Sequence, residues 1–166
     1  MAHTARPLAE CIDALQFRYC GEMQGVNTFA LEGVPTIDRD GNFYFVSTQS
    51  YAGSASTLYR GRFAEGVVTH VELLTGLSKQ IPGEFNFDLG GSADGNALYF
   101  VDSHFSGGAP QTADLVLAER HGDIWQRPPD NTRLLANVNS NALEYAPCIS
   151  ADGRRLLFTR ALWARR

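Results

Sequence analysis

"EYAPCISADGRRLLFTR" (residues 144–160) repeats, with substitutions, a stretch found 112 residues earlier, "EGVPTIDRDGNFYFVST" (residues 32–48). At that offset Asn27 meets Asn139, Glu32 meets Glu144, Pro35 meets Pro147, Ile37 meets Ile149, and Asp40-Gly41 meets Asp152-Gly153. Beyond the Asp-Gly step the register slips by one residue, which brings Phe45 opposite Phe158. A third copy, "GGSADGNALYFVDS" (residues 90–103), lies between them, with Ser92-Ala93-Asp94-Gly95 identical to Ser150-Ala151-Asp152-Gly153. The Asp-Gly steps fall 54 and 58 residues apart. The middle copy has diverged most, with Leu89 for the proline and Asn86 for the glutamate. Self-similarity at such a period is the mark of stacked supersecondary units.

Asp-Gly between two β-rich runs signals a hairpin, because glycine accepts the positive φ of a tight turn. The runs before it (35–37, 147–149) and after it (Phe43 to Val46, Leu98 to Val101, Leu156 to Thr159) are the expected strand pairs. The second members are apolar almost throughout, which predicts sheets covered on both faces. A further hairpin is expected within 56–76 and another within 113–138, with His121-Gly122-Asp123 marking the turn of the latter. Four strands per unit, both faces buried on neighbouring units, describes a β-propeller blade. The fold class read from the residues is therefore all-β. The one helix expected is short, Pro7 to Leu15.

The string of Val-Asn, Glu, Pro, Ile, Asp-Gly and a closing aromatic resembles the TolB-type (WD40-like) β-propeller repeat over residues 26–160. The copies here are longer than the 40–45 residues of related propeller repeats, so extra length falls in loops. The resemblance implies an N-terminal segment with closing strands (1–25) followed by blades at about 26–80, 81–138 and, in part, 139–166. Three blades are fewer than the four to eight that close a ring. Two explanations stand: a homodimer whose N-terminal strands complete the C-terminal half-blade in a six-bladed ring, or a fragment of a larger propeller.

Net charge is −4, with no basic cluster before Arg165-Arg166, which argues against nucleic-acid binding. No apolar run approaches the roughly 20 residues of a membrane span. The first 17 residues lack the apolar core of a signal peptide, so the chain reads as cytoplasmic as written, or periplasmic should further sequence precede it. Cys11, Cys20 and Cys148 lack metal-ligand spacing and are expected as buried free thiols, although Cys11 and Cys20 are a pairing alternative.

Long polar loops on a rigid scaffold are where binding resides. The loops at 48–57 and 102–114 supply Tyr51, Asp102, His104 and Phe105 as candidate ligand-binding side chains. Asp102, His104 and Asp114 have no spacing that demands a metal, and no metal or other cofactor is assigned, calcium or another divalent cation being open but unsupported. Glu32 and Glu144, repeated once per unit, are expected to cap turn N–H groups, not to do chemistry. No catalytic residue stands out. The reading is a non-catalytic module binding a protein, peptide or small molecule; the alternative is a propeller hydrolase of lactonase type, divalent-metal dependent or not, suggested by a faint similarity in "TLYRGRFAEGVVTHVE" (residues 57–72).

Overall fold

The structure is a computed structural model that describes residues 10–13, 16–19, 23–51, 53 and 55–162. It is built of antiparallel β-sheet. A hairpin, β1 (Glu10–Asp13) with β2 (Gln16–Tyr19), comes first. The first sheet holds β3 (Leu31–Ile37), β4 (Asn42–Thr48), β5 (Leu58–Ala64) and β6 (Val67–Leu73) in chain order. The second holds β7 (Glu84–Gly91), β8 (Ala97–Ser106), β9 (Ala109–His121) and β10 (Ile124–Gln126), also in chain order. The third is a pair, β11 (Leu143–Ile149) and β12 (Leu156–Ala161). Glu10–Asp13 is therefore strand where a helix was expected, and the remainder of that expected helix lies outside the described residues.

The sequence repeat is a repeat of backbone geometry. Each Asp-Gly hairpin puts its glycine at positive φ (Gly41 +80°, Gly95 +72°, Gly153 +70°) and donates that glycine's N–H to the carbonyl three residues back. The one-residue slip is visible in the closing bond. Asp38 N–H reaches Asn42 O, four residues on, whereas Ser92 reaches Ala97 and Ser150 reaches Arg155, five on. Asp38, Ser92 and Ser150 use their side-chain oxygens to accept N–H groups inside their own turns.

A second device also recurs. The first strand of each unit is bulged between Gly33 and Thr36, Phe87 and Gly90, and Tyr145 and Cys148. Inside each bulge one non-glycine residue is left-handed: Val34 (φ 52°), Asp88 (52°) and Ala146 (53°). These residues keep the 54- and 58-residue spacing of the turns. Bulges bend a strand and increase its twist, so the three units curve alike.

The sheets stack with the second in the middle: β7 packs on β3 and β4, and β11 packs on β7, β8 and β9. Between the first and second sheets lie Tyr44, Val46, Leu58, Leu98 and Phe100, with Trp125 edge-on to Tyr44. Between the second and third lie Val101, Leu115 and Leu117, against Leu143, Leu156 and Phe158. β4 and β8 are thus covered on both faces, as their apolar runs predict. β12 is not: Leu156 and Phe158 are half-buried while Leu157 is 59% exposed, because among the described residues only one face of the third sheet has a neighbour.

The second hairpin of the first sheet forms as expected, β5 and β6 turning at Glu65-Gly66. In the second sheet β10 stops after three residues, at the Pro128-Pro129 step, since proline cannot donate to the ladder. The turn at Gly122-Asp123 is a two-residue hairpin loop. A single helical turn, α1 (Asn131–Leu134), follows. The outer edge of β9 is then satisfied by side chains. Asn139 accepts from Leu115 N–H at 2.9 Å and donates to Leu115 O at 2.8 Å, and Asn131 does the same for Leu117.

Candidate functional site

Of the four side chains expected to form a site, the structure brings two together. Tyr51, from the loop after β4, lies 5.8 Å from Phe105 near the end of β8 with the two rings tilted, and both rings pack on Phe85 of β7. With Leu31, Val34 and Pro110 they line an apolar groove of about 280 Å³ between the first and second sheets. His104 is exposed, its backbone N–H held by the Thr112 hydroxyl.

Asp102 belongs to a different place. Arg127, just past β10, grips it through both guanidinium arms, Nη1 to Oδ2 at 2.6 Å and Nη2 to Oδ1 at 2.9 Å. The same Nη2 donates to Leu77 O at 2.6 Å, and the guanidinium lies 5.1 Å from the Phe100 ring centre. Asn86 donates to Asp102 and to Val101 O, and accepts the Lys79 N–H at 2.7 Å. Paired forks of this kind fix orientation as well as charge. Asp102 therefore ties β8 to the segment after β10 and to the loop leaving the first sheet.

Directly across the β8–β9 ladder from Asp102 stands Asp114. Both carboxylates, with Arg127, Asn131, Thr132 and Asn139, line an open cavity of about 520 Å³. Burial, then the nearby Glu144 and Asp102 charges, push the Asp114 carboxyl above the ordinary carboxylate range. No Lys, Arg or His among the described residues is ion-paired with it. Asp114, Arg127 and Thr132 have no counterpart in the repeated string, so repeat matching does not pick out the last two and gives Asp114 no role beyond the Asp102 and His104 set. The Pro-Pro step beside Arg127 was the available signal that the strand pattern breaks there. Asp102, His104 and Asp114 form no metal site: among the described residues no group of three His, Cys, Asp or Glu side chains is placed to hold an ion.

The repeated carboxylates do structural work. Glu144 is fully buried, accepts from Ser140 N–H at 3.2 Å and from its hydroxyl, and receives Arg160 Nε at 2.8 Å. Glu32 holds Thr28 in the same way, and Asn86 is the middle copy's version, turned to Lys79. Cys148 is exposed, not buried as expected, because it lies on the uncovered face of the third sheet; Cys20 lies outside the described residues. Among the described residues no helix is long and apolar enough to cross a membrane. No protein-family model matches the chain, and no curated protein or solved structure matches it.

Proposed function

We propose that the chain is a β-propeller-type binding module, its sheets acting as blades of the kind the TolB-type resemblance implies. Its ligand is a small polar molecule or side chain carrying an ammonium or guanidinium group, held in the Asp114 cavity. Asp114 carries the reading. It is a carboxyl with no cation paired to it among the described residues, facing a cavity of ligand size, beside a second carboxylate already paired with Arg127. A cation entering there would complete the pairing that the protein leaves open, and Asn131 and Asn139 would hold the cavity wall rigid through their bonds to β9.

A thermal-shift panel of small alkylamines and guanidines tests this, because a ligand that binds only the folded state raises the melting temperature by mass action. At 100 times Kd the gain is about 2.7 kcal/mol, a rise of several degrees for a domain of this size. The rise is expected in the native protein and absent from Asp114→Asn. No response to any member of the panel overturns the ligand class. The hydrolase reading draws on the facing Asp102 and Asp114 carboxyls; in its metal-dependent form it predicts instead that calcium, zinc, magnesium or manganese stabilises the protein, and that Asp114→Asn abolishes that effect.

A further inference from the structure

The repeat makes the two faces of every sheet equivalent from unit to unit. One face carries Phe43 and Phe45 in the first sheet, Leu98 and Phe100 in the second, Leu156 and Phe158 in the third. Call it the rear. The front carries Tyr44 and Val46, then Tyr99 and Val101, then Leu157 and Thr159. Twice within the chain a front is covered by the next rear. Thr36 and Tyr44 are cross-strand partners on the first front, and Thr36 Oγ1 accepts the N–H of Gly91, a rear residue opposite Leu98, at 3.1 Å. On the second front Gly90, opposite Tyr99, admits the Pro147 carbonyl where any Cβ would collide, and Asp88 accepts Ala146 N–H at 2.9 Å.

Among the described residues the third front has no such cover. Leu157 is 59% exposed and its cross-strand partner Cys148 is exposed. The first rear is apolar and incompletely filled. Phe43 and Phe45 are themselves buried, at 5% and 4% exposure, against Val26, Val68, Tyr59 and Phe63; beside them cavities of about 600 and 210 Å³ open on that face, and Ile37 opposite Phe43 is 46% exposed.

We infer that the third front is covered by the first rear of a second copy of this chain, head to tail. Both internal junctions are front-to-rear between units sharing the same bulge, turn and apolar positions, and the first rear repeats the apolar positions of the other two in Phe43 and Phe45. Contacts that join unlike faces generate rings when their rotation closes. The inference rests on the stacked-blade reading but not on the cavity ligand.

The first internal junction, where position 36 meets position 91, supplies a register for the test: the equivalent position 148 should meet position 37 of the second copy. In a Cys11→Ser, Cys20→Ser background, Ile37→Cys is expected to give an inter-chain disulfide with Cys148 under mild oxidation, and none after Cys148→Ser. Light scattering of the 166-residue chain at tens of micromolar is expected to read two chains, and Leu157→Arg, a change at an exposed position, one chain with unaltered far-UV circular dichroism. A one-chain mass for the native sequence overturns the proposal. So does a two-chain mass that survives Leu157→Arg and gives no Cys148 crosslink, which would mean that another surface is used.

Discussion

Gly95 and Gly153 occupy the same place in their turns and have nearly the same φ, yet their surroundings differ. A Cβ at Gly153 would meet open space, whereas at Gly95 it would fall 2.6 Å from Asp38 Oδ2 of the neighbouring turn. The left-handed backbone alone makes Gly153→Ala cost about 1–2 kcal/mol. Gly95→Ala should cost more, and a shift in the urea midpoint at least half as large again as that of Gly153→Ala is the expected result. Asp114 offers a test by pH. Its folded-state carboxyl is raised above the unfolded value, chiefly by burial, so the neutral form is favoured in the fold and stability falls as pH rises past the unfolded value. Without added ligand, Asp114→Asn should therefore melt higher than the native protein at pH 7, with the gap closing toward pH 4. Tyr44 behaves alike at the other end of the scale. Burial raises its phenol from 10.0 to about 12, so the fold should lose stability above pH 10, where the unfolded chain ionises first, and Tyr44→Phe should remove that part of the loss. Residues with a copy in each unit were legible in the sequence: Glu32 and Glu144 do cap turns. Asp114 and Arg127 were not, because each gains its role from a neighbour across a ladder or beyond a break.

Strands and hairpins follow the sequence wherever turn chemistry is local. Asp-Gly fixes three hairpins and Glu65-Gly66 a fourth, since each needs only a residue at ease with positive φ. The hairpin expected within 113–138 forms at Gly122-Asp123, but its second strand is short for an equally local reason: Pro128 and Pro129 end the ladder and α1 takes over. What continues the pairing beyond β10 could not be read at all: two asparagine amides standing in for peptide groups along β9. Asn139→Leu removes both of its bonds to Leu115, whose N–H and carbonyl are then left without partners. A destabilisation of about 1–3 kcal/mol is expected, measured by chemical denaturation. Arg127→Met tests the other tie. It takes the guanidinium away from the Phe100 ring and leaves Asp102 facing Asp114 without its partner, and a loss of roughly 2 kcal/mol should follow. A smaller effect would mean that Lys79, 3.7 Å from Asp102, takes over the pairing.

Across the whole molecule the three units are alike in backbone but unequal in company. The second sheet is enclosed on both sides, the third on one, and the strands that look alike in sequence differ in burial for that reason alone. Sequence could give the number of units and their order; which faces end up covered depends on how many neighbours the stack supplies. The enclosure of the middle unit has a kinetic consequence. Amide protons exchange with solvent when their surroundings open, and openings that must separate two packed faces cost more than those that lift one. Phe100 and Val101, at 0% exposure in the centre of β8, should then hold their deuterium-exchange protection longest, while β12 amides exchange early. Mild denaturant would peel the stack from its last sheet inward, leaving β8 and β9 as the last protected core.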